Sequence, residues 1–276
     1  LRPQSHSPGG LRDRAVPLRP ADGVGDAGGM APGAGDDRLD EAADRAFEAI
    51  SRIKTKDLEV SDYNKRYFSK HQRTLQSSLQ KYAYLLSLAF ADFPKALAQC
   101  TVVDYGGGSG VLSLLARAAG IGTVIYSDIY DVSCQDARVL GQEAGLEADH
   151  YVHGDVNELT QFLETNSIAV DAVLSYDVIE HIYDIEHFFK TIAAWPGAPF
   201  RIVMASGANP HNPMIRYLLT RHQKRAEFEN REARWGHKQR DTLESYLSIR
   251  KRVVAETAPG LPEAEVEKVA RMTRGL

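Results

Sequence analysis

Val102-Val103-Asp104-Tyr105-Gly106-Gly107-Gly108-Ser109-Gly110 is the stretch that decides the fold. Residues 101–104 read as a short apolar strand, and 111–119 as a helix stopped by Gly120. Between them lies a glycine cluster. A strand that ends in glycines and opens a helix lets backbone N–H groups approach a ligand closely, because no side chain stands in the way. Several nucleotides suit that geometry. The dinucleotide pattern G-x-G-x-x-G begun at Gly106 fails at Val111, and begun at Gly107 it fails at Ser109. The pattern in register is acid-x-Gly-x-Gly-x-Gly, with Asp104, Gly106, Gly108 and Gly110.

Working outward, strand and helix signals alternate. Further strands are predicted at 123–127, 150–153, 170–175 and 200–204, with helices at 133–144, 156–165 and 184–194 between them. Five strands separated by helices predict an α/β fold: a doubly wound, mostly parallel sheet with helices on both faces. Its ligand site is expected at the carboxyl ends of the strands. Upstream, a short helix is predicted at 40–53. A longer helix or a pair of helices follows, with Leu75, Leu79, Tyr82 and Leu86 on one face of a helix running from about residue 67 towards 93. Downstream of 206 the pattern is helical, at about 213–234, 241–256 and 262–272.

On these residues the sequence resembles the class I S-adenosylmethionine-dependent methyltransferases, which have a Rossmann-like fold. The resemblance implies that Asp104, Gly106, Gly107, Gly108 and Gly110 hold the amino acid end and sugar of S-adenosyl-L-methionine. It further implies that Asp128, 18 residues after Gly110, accepts hydrogen bonds from both ribose hydroxyls. Asp155, in Gly154-Asp155-Val156, matches the acid that meets the adenine amino group, and Ser175 borders the sulfonium and substrate.

Asp177-Val178-Ile179-Glu180-His181-Ile182 is similar to a segment of small-molecule O-methyltransferases of this class that reads acid-x-x-Glu-His. Asp177 and His181 are therefore candidate catalytic residues facing the acceptor. In some relatives, and in the small-RNA 3′-end 2′-O-methyltransferases, such acids and His bind a divalent metal. If the segment is helical, Asp177, Glu180 and His181 would converge on one ion such as Mg, with His211 or His237 as a fourth ligand. The alternative is that Glu180 and His181 only shape the pocket, with His181 as general base or structural partner.

The resemblance implies methyl transfer to a small-molecule hydroxyl, with an RNA 2′-O-methyltransferase and a catalytically silent methyltransferase-like interaction module as alternatives. The expected organisation is a disordered tail at 1–36, an N-terminal helical lid at 37–98, the cofactor-binding core at 99–206 and a helical segment at 207–276. Tyr63 and Tyr67 are placed to cover the pocket, and Phe68 to pack inside. The two closing strands usual in this class are not visible, which suggests a chain truncated before them. The tail is assigned from its 8 of 22 Gly and 5 of 12 Pro, with no apolar periodicity.

Composition narrows the classes further. The 276 residues are 43% hydrophobic, enough for a core, and carry only Cys100 and Cys134, so neither a disulfide framework nor a paired-cysteine metal site is expected. No apolar run approaches the roughly 20 residues that span a bilayer. A cytoplasmic protein without membrane contact is expected. The net charge of −4 is a cancellation: residues 37–210 carry −9 and residues 211–252 carry +6. The basic stretch fits either docking on the acidic core or attraction of an anionic acceptor. Nucleic acid remains the alternative partner.

Overall fold

The computed structural model of the chain describes residues 36–195, 199–207, 211–230 and 243–274. The expected disordered tail therefore lies outside the described residues, apart from Asp36, where the first helix begins. Three helices lead in: α1 (Asp36–Ser51), α2 (Asp62–Arg73) and α3 (Leu75–Phe90). Of the helix or helix pair expected here the chain forms the pair, interrupted at Thr74, whose N–H turns back to the His71 carbonyl at 3.0 Å. Each part serves a different surface. Leu75, Leu79 and Leu86 of α3 are buried in the core, whereas α2 turns Tyr63 and Tyr67 to a cleft described below, and one straight axis cannot do both.

The core follows as β1 (Thr101–Tyr105), α4 (Val111–Ala118), β2 (Thr123–Asp128), α5 (Asp131–Ala144), β3 (His150–His153), α6 (Val156–Thr165), β4 (Ala172–Tyr176), α7 (Ile185–Ala193) and β5 (Arg201–Ala205). All pairings are parallel, in the order β3-β2-β1-β4-β5. Strand order reverses between β1 and β4. Right-handed crossovers then send α4 and α5 to one face and α6 and α7 to the other, opening a crevice at the carboxyl ends of those two strands.

The period of two along each strand feeds two separate cores. Val102, Val124, Ala172 and Leu174 pack with Leu115 of α4, Leu140 of α5, Ile50 of α1 and Leu79 of α3. Their neighbours Val103, Ile125 and Val173 pack on the opposite face with Leu159, Phe188 and Ile192. Val and Ile at these sites suit a sheet buried on both sides.

Three more helices close the described chain: α8 (Pro213–Phe228), α9 (Tyr246–Thr257) and α10 (Glu263–Met272). Asn212 caps α8 by accepting from the Met214 and Ile215 N–H groups at 3.0 and 3.2 Å, with Pro213 at the first helical position. The buried Glu227 of α8 pairs with Arg250 of α9, which also donates to the Ala270 carbonyl of α10 at 2.8 Å. No strand follows β5 among the described residues, and no described helix is long and apolar enough to cross a membrane.

Candidate functional site

The glycine loop is shaped from below by β2. Gly106 has φ +71°, and a Cβ there would lie 2.5 Å from the Val178 side chain, so both conformation and space require glycine. The N–H groups of Gly106 and Gly107 donate to the Ser127 carbonyl at 2.8 and 3.1 Å. Beneath Gly107 lies the ring of Tyr126, which a Cβ would meet at 2.4 Å, and the Tyr126 hydroxyl donates to the Gly108 carbonyl at 2.7 Å. Gly110 forms the left-handed N-cap of α4. Gly107 and Gly110 thus shape the loop, while Gly106 and Gly108 line a cleft of about 630 Å³.

Asp128 ends β2 at the wall of that cleft and is only 8% exposed. Its carboxylate accepts from the Gly108 N–H at 3.0 Å and the Tyr130 N–H at 2.9 Å, which fixes its orientation. Asp155 also lines the cleft. It caps α6, accepting from the Asn157 N–H at 2.6 Å, while its own N–H donates to Glu158 at 2.8 Å.

Asp104 is placed differently from the sequence expectation. The alternation of β1 turns it towards α4, where its carboxylate accepts from the Ser113 N–H at 3.1 Å and the Ser113 hydroxyl at 2.7 Å. It lies under the loop and does not line the cleft. Burial pushes its pKa up to about 7, against the opposing pull of the Ser113 hydrogen bonds. Ser175 is likewise internal. Its hydroxyl donates to the Tyr105 carbonyl at 2.9 Å, tying β4 to β1 where the crevice opens.

The expected metal site is not assembled. Residues 179–181 form a single 3-10 turn, and the two acids are engaged by the loop after β5. Asp177 accepts from the Gly207 N–H, and Glu180 accepts from the Ser206 hydroxyl at 2.9 Å. Among the described residues, no three His, Cys, Asp or Glu side chains are grouped to hold a metal ion. His211 does not complete one, and His237 lies outside the described residues. Asp177 and His181 do line the cleft, so the turn presents its ends there and its Glu180 elsewhere.

From the other side α2 supplies Tyr63, Asn64 and Tyr67. The two tyrosine rings stack with centroids 5.9 Å apart. Burial, with Tyr63, Asp177 and Asp128 nearby, raises the Tyr67 pKa and keeps its hydroxyl a donor. Phe68 is fully buried, in keeping with its expected packing role. Sequence reading missed Asn64. Two buried polar atoms of cleft-lining residues, Ser127 Oγ and Asn64 Oδ1, have no hydrogen-bond partner among the described residues. Unmet buried groups, a fixed carboxylate and a half-buried glycine loop without side chains are what a polar nucleoside ligand needs, and S-adenosylmethionine fits that donor and acceptor set.

Residues 103–195 match the model of a family described as a methyltransferase domain, a span that contains the glycine loop, Asp128, Asp155 and Asp177. No curated protein matches the chain. Among solved structures it is similar to a SAM-dependent methyltransferase from Agrobacterium tumefaciens, at 24% identity over 37% of this chain and 31% of that one, with a TM-score of 0.30. MtNAS in complex with MTA and tNA matches at 17% identity over 60% of this chain and 54% of that one, with a TM-score of 0.38. A Thermoplasma acidophilum protein matches at 14% identity over 72% and 89%, with a TM-score of 0.37. The chain thus spans less than two thirds of the first two structures. Over residues 103–195 the chain is thus similar to a methyltransferase domain, and its sheet has a doubly wound, Rossmann-like architecture.

Proposed function

We propose that the protein transfers a methyl group from S-adenosylmethionine to a hydroxyl of a small molecule. The observation that carries this reading is the methyltransferase-domain match over residues whose glycine loop and fixed Asp128 carboxylate share one cleft of about 630 Å³. That volume suits a cofactor with a small acceptor beside it. Asp128 would accept from the ribose hydroxyls, the Gly106–Gly108 backbone would border the amino acid end, and Asp155 would meet the adenine amino group. When bound, S-adenosylmethionine supplies a methyl group already activated on a sulfonium. The chain's own residues then have little covalent work to do. They hold the acceptor oxygen in line with the methyl carbon and exclude water. His181 would take the hydroxyl proton as the acceptor oxygen gains the methyl group, so that the products would be a methyl ether and S-adenosylhomocysteine.

Calorimetry with S-adenosylhomocysteine tests the reading directly, and a folded full-length chain that does not bind it overturns the reading. For His181→Ala, turnover on a panel of phenols and aliphatic alcohols is expected to fall about a hundredfold while affinity for S-adenosylhomocysteine stays within about twofold. Binding without turnover on any acceptor favours the silent module instead.

The surface of α8 favours RNA as a second reading for the acceptor. Arg216, Arg221 and Lys224 line a groove there with Tyr217 and Phe228, which are 60% and 53% exposed. Cations interleaved with aromatics suit a single strand. Affinity for a single-stranded oligonucleotide would then fall steeply between 50 and 200 mM salt, roughly tenfold or more. Absence of salt-dependent binding removes this reading.

A further inference from the structure

One carboxylate clasps α2 to α5. Asp136 of α5, itself 5% exposed, accepts from the Ser61 N–H at 3.1 Å, the Ser61 hydroxyl at 2.5 Å and the Asn64 side-chain amide at 2.6 Å. Ser61 is the N-cap of α2, so this carboxylate fixes where α2 begins. An ionised carboxylate can only accept, and Asn64 must therefore turn its NH2 towards Asp136. Its carbonyl oxygen is forced the other way. Asn64 is 1% exposed, its Oδ1 has no hydrogen-bond partner among the described residues, and the residue lines the cleft. A buried acceptor in this position calls for a donor brought by a ligand.

The fold locates that donor. Tyr130 and Ser133, which line the same cleft, lead from Asp128 into α5, and Asp136 lies one turn beyond Ser133. Asn64 therefore meets the cleft at the β2 end, beside the carboxylate read as the sugar contact. Asp128 already accepts from two backbone N–H groups, which leaves room for a second acceptor to share a diol.

We propose, on the basis of the methyltransferase reading above, that Asn64 is a specificity-determining residue whose Oδ1 accepts a hydrogen bond from a ribose hydroxyl, with Asp136 as its positioning residue. Neither the glycine loop nor the strand-end acids include it. The N-terminal helix, outside the span that matches the methyltransferase domain, thereby distinguishes a ribonucleoside from a deoxynucleoside.

The test is a cycle between ligand and protein, measured by competition against labelled S-adenosylhomocysteine on the full chain. Adenosine, 2′-deoxyadenosine and 3′-deoxyadenosine are compared on the wild type and on Asn64→Leu. One of the deoxy compounds is expected to bind the wild type about tenfold more weakly than adenosine, and that difference is expected to vanish in Asn64→Leu. Equal discrimination in both proteins, or none in the wild type, overturns the proposal whatever happens to overall affinity. Should Asn64→Leu fail to fold, Asp136→Asn carries the same cycle. It lets the Asn64 amide turn over and is expected to lose the same discrimination, and retained discrimination there overturns the proposal. A wild type that binds no S-adenosylhomocysteine overturns the methyltransferase reading itself, whereas binding with Asn64-independent discrimination overturns only the role of Asn64.

Discussion

Asp128→Ala is expected to weaken S-adenosylhomocysteine binding by about a hundredfold or more. Hydrogen bonds from neutral hydroxyls to a carboxylate are roughly twice as strong as neutral pairs, and a diol makes two of them. The same substitution leaves the Gly108 and Tyr130 N–H groups without their acceptor, so the loop around the cofactor loosens as well. Asp128→Asn separates these effects. It retains an acceptor oxygen for one backbone donor but offers an NH2 where a second hydroxyl would donate, and a loss of about tenfold is expected. Calorimetry resolves both steps, with circular dichroism to establish that each variant is folded. Wild-type affinity in Asp128→Ala would remove this carboxylate from the binding site.

Asp104→Asn is expected to make the protein more stable at pH 8, by up to about 4 kcal/mol, and nearly neutral at pH 4. The pKa of Asp104 is raised by burial to about 7, so between about pH 4 and pH 7 the folded state keeps a proton that the unfolded chain has released. More protons bound in the native state means that this group's contribution to stability falls as pH rises through that window. It is fully present below the unfolded pKa and gone above about pH 7. Asparagine has the same shape, keeps an oxygen for the Ser113 N–H and hydroxyl, and never ionises. Urea unfolding at a series of pH values checks this, since the variant should lose most of the wild-type decline between pH 5 and pH 8. A slope identical to wild type would mean that Asp104 ionises without penalty.

The glycine loop, the five strands and the helices between them were legible because local signals carry them: a strand entering glycines, a two-residue alternation, and apolar faces at helical spacing. Asp128, Asp155, Asp177 and His181 were legible as residues near the cleft because strand ends are fixed by the same signals. Side-chain direction was less so. Asp104 and Asp128 both follow apolar strand residues and share one face of the sheet, yet Asp104, paired with Tyr126, turns inward to Ser113, whereas Asp128, two residues nearer the carboxyl edge, stays at the cleft wall. The metal expectation assumed a helical turn at 177–181. The 3-10 geometry and the loop after β5 instead divert Asp177 and Glu180 to Gly207 and Ser206, partners that no spacing rule identifies. Asn64 and Asp136 are 72 residues apart, and nothing local to either indicates the other.

Asp177 holds its backbone at φ +57°, a left-handed conformation that costs an L-residue about 1 kcal/mol and glycine almost nothing. Glycine, however, would bring no carboxylate for the Gly207 N–H. With the Asp177 N–H on the Ala205 carbonyl at 2.8 Å, that side chain makes the end of β4 and the loop after β5 move as one piece. Glycine there would relieve the strain but lose the side-chain tie, leaving the backbone bond and the β4–β5 ladder to join the two segments. Retaining the tense residue keeps the floor of the cleft at one height, so a modest loss of robustness secures a fixed distance between the turn bearing His181 and whatever rests against that loop.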